Sequence, residues 1–195
     1  MKSLIRTNDS LVLSVLEDAG WYRGREVDVN PWVDAFLAHG RPPFDSAVAI
    51  LREFGGLQIT PPKFVPGAVY GADPFGFDPK PFNEPPVYND DRMYTAWERL
   101  LGEKVYKIGL CYAYPLFVGE GGGVHLNHEL PQTLGEDINV AIQQMILRLK
   151  YPELVVLYPG QEPEVEARRI YQKEALERTN RDPQWLKLLG QPSVE

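Results

Sequence analysis

Residues 50–59 read ILREFGGLQI, and the apolar period changes inside them. Ala47, Ile50, Leu51 and Phe54 are spaced as the buried face of a helix, whereas Leu57, Gln58, Ile59 and Thr60 alternate as a strand does. Only Gly55 and Gly56 separate the two patterns. A helix and a strand joined without a linker must pack on each other, so Phe54 and Leu57 are expected to meet in a helix-on-sheet core. Gly55 is expected to take the left-handed conformation that ends the helix, and Gly56 to let the backbone reverse.

The remaining chain alternates the same two periods. A first helix is expected behind the cap candidates Asn8, Asp9 and Ser10, with Val12, Val15, Leu16 and Ala19 on one face and Gly20 closing it. Asn30 followed by Pro31 starts a second, because proline at the first helical position loses no hydrogen bond. Its buried face is Val33, Phe36 and Leu37, and Gly40 ends it. After the Leu57–Thr60 strand, residues 61–89 are rich in Pro and Gly yet carry Tyr70, Phe75, Phe77, Phe82 and Tyr88. Such aromatics predict an ordered loop covering a sheet face, with short strands around AVYG and FGFD; contact with a partner is the alternative. Asp90 or Asp91 caps a helix with Tyr94, Trp97 and Leu101 on one face. Residues 104–127 read as two or three antiparallel strands, broken at Pro115 and turning at Gly121–Gly123. Near Asp137 a fifth helix places Ile138, Ala141, Ile142, Met145 and Leu149 in one stripe. The fold class is therefore α+β, a largely antiparallel sheet packed against helices.

Beyond Tyr151 the character changes. The stretch ELVVLYPG either adds a strand or docks on the core, and residues 162–180 form a charged helix with Glu-first pairs such as Glu164 and Arg168. Its apolar stripe, Ala167, Ile170, Tyr171 and Ala175, is narrow and suits a surface-docked appendage. Trp185, Leu188 and Leu189 offer a final anchor against this domain or another chain. We divide the chain into a domain of residues 1–150 and a mostly helical extension of residues 151–195.

With 195 residues and 44% hydrophobic content, the chain can bury one good core. A net charge of −7 without clustered Lys and Arg argues against general nucleic-acid binding. The single cysteine, Cys111, allows no intrachain disulfide, and the run LVLSVL among Asp9, Glu17 and Asp18 is too short for a signal peptide or a membrane span. The cytoplasm is the expected compartment, with no membrane partner.

Few residues suggest chemistry. His125, His128 and Glu129 in HLNHE invite a metal, but the histidines lack the helical four-residue spacing and point to opposite faces of an extended chain; two solvated histidines near a hairpin is the preferred reading. GEGGG at 119–123 is followed by a strand pattern and has no GK[ST], so it is a turn. Cys111 reads as a small buried thiol, and no G-x-S-x-G elbow occurs. No catalytic residue, metal ligand or cofactor is assigned.

Taken in order, LEDAGWYRGREVDV, a Trp-bearing helix, ILREFGGLQI, FGFDP, AWERLLGEKVYKIG and the LFVGEGGGV hairpin resemble the SUKH superfamily of Smi1/Knr4 homologues, and most closely its SUKH-3 immunity proteins. The similarity covers roughly residues 10 to 149. Glu53, Phe54, Gly55, Gly56 and Leu57 match one half of the motif and Gly20, Trp21, Gly24, Arg25, Val27 and Asp28 the other; these are read as structural. The resemblance implies a non-enzymatic protein that binds and neutralises a cognate bacterial polymorphic toxin, commonly a nuclease or nucleic-acid deaminase. The alternative is a general scaffold or regulatory module of the Smi1/Knr4 type. A separate expectation, independent of the motif, is that Tyr70, Asp73, Phe75, Asp78, Glu84, Tyr88, Asp90 and Asp91 supply an acidic, aromatic surface for a basic toxin cleft. The chain is expected to be a monomer or weak homo-oligomer.

Overall fold

The computed structural model describes residues 3–79 and 91–181, with only the backbone described for Asp91 and residues 178–181. The chain runs α1 (Ser10–Asp18), α2 (Asn30–Leu37), α3 (Asp45–Phe54), β1 (Gln58–Ile59), β2 (Phe75–Gly76), α4 (Asp91–Leu101), β3 (Val105–Cys111), β4 (Tyr114–Gly119), β5 (Val124–Leu126), β6 (Gln132–Gly135), α5 (Ile138–Leu147), β7 (Glu153–Leu154) and α6 (Glu162–Arg181). All seven strands form one sheet in chain order, each antiparallel to the next. The fold is α+β with a helical C-terminal segment, as the periodicity predicts. No described helix is long and apolar enough to cross a membrane.

Alternation along the central strands gives the sheet two occupied faces. Tyr106, Ile108, Leu116, Val118, Val124 and Leu126 join the main core with Leu16 of α1, Leu51 and Phe54 of α3, and Ile142 and Ile146 of α5. Phe117 points the other way, where Met93, Tyr94 and Trp97 of α4 meet it and Val105. Arg41 lies 3.8 Å from the centroid of the Tyr94 ring and 3.6 Å from Glu98, tying the α2–α3 connection to α4. A bulge between Lys107 and Gly109 interrupts the alternation, so β3 is buried along nearly its whole length.

Helix caps follow the sequence where a side chain supplies the missing bond. Asp9 accepts from the amides of Leu11 and Val12 at the start of α1, and Asp137 accepts from Val140 at the start of α5. Several expectations need correction. The residue with positive φ after α3 is Gly56 (+79°), whereas Gly55 is extended at φ −50°, ψ 133°. Gly55 is required for space: a Cβ there would run into the Trp32 ring and the Leu51 carbonyl. Leu37 and Leu149 are exposed, because α2 ends against solvent and α5 stops at Arg148, itself left-handed at φ 55°. Pro115 lies inside β4 opposite Leu110, and the break falls instead at Tyr112. No strand forms around Ala68–Gly71; that segment is held by Arg148, whose carbonyl accepts from Val69 at 2.9 Å and whose guanidinium reaches Pro62 O at 2.9 Å.

The C-terminal segment joins the sheet through β7, with Leu154 opposite Gln132. Helix α6 is held at its first turns: Val165 packs on Leu130 and Leu154, and Arg169 donates to Leu154 O at 2.6 Å. Its expected stripe is not buried, since Ile170 and Tyr171 are each 52% exposed. Within α6, Arg169 and Glu166 form an ion pair, three residues apart at 3.9 Å. Trp185, Leu188 and Leu189 lie outside the described residues.

The two glycines therefore have different tolerances. Gly55→Ala is expected to destabilise the protein by about 2–3 kcal/mol through overpacking, and Gly56→Ala by only about 1 kcal/mol for the left-handed backbone. Urea unfolding of both variants checks the order; equal losses would refute the packing account.

Candidate functional site

The motif residues converge on one buried carboxylate. Glu53 is 2% exposed and accepts from the Ser3 hydroxyl (2.6 Å), the Leu4 amide (2.7 Å) and Trp21 Nε1 (3.0 Å). Arg25 spans the end of the same helix, donating to the carbonyls of Glu53 (2.7 Å) and Gly55 (2.8 Å), while the Val27 amide reaches Arg52 O (2.9 Å). These are carbonyls that a helix terminus leaves without partners, and a cation is favoured beside them. Gly20 and Gly24 adopt φ of +92° and +86° at the bends that bring Trp21 and Arg25 into place. Asp28 accepts from the Asn30 amide at 3.0 Å at the entry to α2, and Phe54 and Leu57 share the core. Every one of these groups is used in holding the fold.

The acidic, aromatic set is dispersed by the fold. Phe75 is 1% exposed and packs at 85° against Phe77 in the core, so it is withdrawn from any partner surface. Tyr70 is half-buried and donates to Gln144 O at 2.9 Å, stapling its loop to α5. Asp78 is half-buried and accepts from Trp32 Nε1 at 3.0 Å. Asp73 is exposed. Glu84, Tyr88, Asp90 and the side chain of Asp91 lie outside the described residues.

A cavity of 220 Å³ opens between the sheet, the Asp73 loop and α6. Leu134 and Met145 line it together with the carboxylates of Asp73, Glu129 and Glu164 and the cation of Arg168. Glu129 and Glu164 enter the site only through tertiary structure, because β7 brings α6 beside the loop after β5. Cys111 also lines this cavity, and burial, followed by the nearby Asp73, pushes its thiol up to about 12, so it stays protonated and unreactive at neutral pH.

The histidines are not the solvated pair expected. His125 is 4% exposed on the α4 side of the sheet, its ring 5.0 Å from that of Trp97 and Nδ1 3.2 Å from the Thr133 hydroxyl on the neighbouring strand. Its Nε2 has no hydrogen-bond partner among the described residues. His128 packs on Tyr114, ring centroids 4.0 Å apart, and lines the cavity. Among the described residues, no three His, Cys, Asp or Glu side chains are grouped as a metal site requires.

Comparison with protein families then places this architecture. The sequence model of the SUKH-3 immunity protein matches residues 8–148. The chain belongs to the SUKH-3 immunity protein family. Searches of curated proteins and of solved structures each returned no match. The SUKH-3 match begins just before the Asp9 cap of α1 and ends at Arg148, the left-handed residue that closes α5. Strand β7 and helix α6 follow it, so one wall of the cavity stands outside the matched SUKH-3 region.

Two outcomes follow from these burials. Replacing Glu53 with Ala strands the buried Trp21 Nε1 and two half-buried donors, Ser3 and Leu4, and is expected to cost about 3 kcal/mol of stability; denaturant titration followed by tryptophan fluorescence measures it. A loss under about 1 kcal/mol would show the carboxylate to be incidental. For His125, burial lowers the imidazolium pKa from 6.5 to about 4. The folded state therefore holds it neutral, with full stability above pH 6.5 and a loss of roughly 3 kcal/mol as the pH falls to about 4. The difference in unfolding free energy between the parent chain and His125→Gln should shrink across that window; a constant difference would mean that His125 does not titrate on unfolding.

Proposed function

We propose that this chain is a non-enzymatic immunity protein that binds and neutralises one cognate toxin domain in the cytoplasm. Membership of the SUKH-3 immunity family carries the reading. Residues 1–150 are the immunity domain in this proposal, and residues 151–195 an extension that lends an edge strand and a cavity wall. The chemistry of the buried groups agrees with it: Cys111 is held as a thiol, the histidines face different surroundings, and the motif carboxylate is spent on hydrogen bonds within the fold.

The toxin class proposed is a nuclease or nucleic-acid deaminase. An enzyme acting on nucleic acid gathers cations along its cleft, and a partner of net charge −7 is attracted to such a surface. Asp73 at the exposed rim, with Glu129 and Glu164 across the cavity, supplies carboxylates on one side of the molecule. Surface charge of this kind acts mainly on association rate and partner choice.

The test uses the C-terminal domain of a large secreted protein encoded beside this chain, expressed in a test bacterium with and without it. Growth should be arrested by the domain alone and restored by the pair, which should co-elute as a one-to-one complex. Its association rate should fall by roughly tenfold between low and physiological salt. A toxic domain that is neither rescued nor bound would refute the pairing, and a salt-independent rate would refute the electrostatic part.

A further inference from the structure

The β3–β4 hairpin turns through two residues, Tyr112 and Ala113, between the paired Cys111 and Tyr114. Of these two, only Tyr112 has a positive φ, at 54°. A positive angle at the first loop position alone is the pattern that glycine normally fills in a tight hairpin, and a bulky aromatic there is strained. Burial does not repay the strain. Tyr112 is 72% exposed, and its side chain makes no hydrogen bond or ring contact with the described residues. Its amide donates to Pro74 O at 2.7 Å, which locks the tip of the hairpin to the Asp73–Asp78 segment.

That lock sets the tip of the hairpin between two hollows. A second cavity of 220 Å³ is lined by Tyr112, Gln58 and Asp78, while Cys111 and Asp73, one residue back on each segment, line the cavity beneath α6. The Asp78 carboxylate is oriented through Oδ1 by Trp32 Nε1, leaving Oδ2 without a partner among the described residues. An exposed aromatic that shares its hollow with the Asp78 carboxylate, with the exposed Asp73 carboxylate at the neighbouring hollow, is the recognition chemistry of an organic cation: the ring attracts it by its quadrupole and the carboxylates neutralise it. Tyrosine is also among the side chains that concentrate binding energy in protein interfaces.

We propose that Tyr112 is the anchor of the partner surface and that it grips a lysine or arginine side chain presented by a partner protein, with Asp73 and Asp78 as the flanking charges. This rests on the reading that the chain neutralises a toxin by binding it. Strain at an exposed tip then has a use, because a left-handed backbone aims the ring outward from a rigid hairpin and little freedom remains to be lost on binding.

The experiment takes full-length chain and a toxin domain that the parent chain neutralises, and measures Tm and Kd for Tyr112→Gly, Tyr112→Ala, Tyr112→Phe and Asp73→Asn. Tyr112→Gly should raise Tm by about 2–4 °C by releasing the strained φ, while raising Kd about tenfold or more. Tyr112→Ala should lose the affinity without the gain in Tm, and Tyr112→Phe should keep the affinity. Asp73→Asn should raise Kd and flatten its salt dependence. A Kd within twofold of the parent in Tyr112→Gly would overturn the anchor while the parent complex still upheld the immunity reading. An unchanged Tm in that variant would overturn the strain argument, and Asp73→Asn without effect would overturn the cationic occupant. A parent chain that binds no toxin domain at all would remove the anchor and the immunity reading together.

Discussion

The carboxylate of Glu53 is the point on which the arrangement of the first helices depends. A carboxylate taken out of water is stable only when its lone pairs are filled, and here three donors from outside α3 fill them: Ser3, Leu4 and Trp21. Each donor comes from a segment outside the helix that carries Glu53. The N-terminal strap is held at Ser3 and Leu4, and again where Asn139 accepts from the amides of Arg6 (2.9 Å) and Thr7 (3.1 Å). The bend after α1 is held at Trp21. Arg25 then covers the carbonyls at the end of the helix that carries Glu53. One buried group thereby sets the positions of three chain segments around the corner where α3 meets the sheet.

From that corner the sheet is built as a meander, and its two faces are filled by different helices. The main core lies between the sheet and α1, α3 and α5, and the smaller one beneath α4. At the periphery of these layers the Asp73–Asp78 segment, the tip of the β3–β4 hairpin and the start of α6 come together around two cavities. Polar and strained features gather there, with exposed carboxylates at Asp73 and Glu129 and a left-handed tyrosine at 112. The groups that look reactive in the sequence are instead in packed surroundings. Cys111 and His125 are shifted by desolvation toward their neutral forms, which suits packing and not chemistry.

Much of the fold is legible in the sequence because it depends on local periodicity and caps. The limits of α3, the Asp9 and Asp137 caps, the helix bearing Trp97 and the strands from Val105 to Leu126 all follow from residues a few positions apart. The misjudged details share a cause. Glycine permits a left-handed backbone at Gly55, yet what excludes a side chain there is the Leu51 carbonyl together with the ring of Trp32, twenty-three residues away in sequence. Phe75 looks like an exposed loop aromatic until β2 is paired with β3, and the Ile170 and Tyr171 stripe looks buried until α6 proves to meet the core through Val165.

The sequence by itself determined the class of the fold, the starts of the helices and the resemblance to the SUKH-3 family, because periodicity, caps and ordered motifs are read along the chain. Tertiary structure alone decided which polar groups are free. Whether a carboxylate binds a partner or holds the fold depends on donors brought from elsewhere: Glu53 is filled, Asp78 is half used by Trp32, and Asp73 is exposed. The joining of Asp73, Glu129 and Glu164 around one cavity, and the outward strain of Tyr112, likewise arise from strand pairing between segments far apart in sequence. No spacing rule along the chain encodes such meetings, since they are set by which hydrophobic faces bury each other.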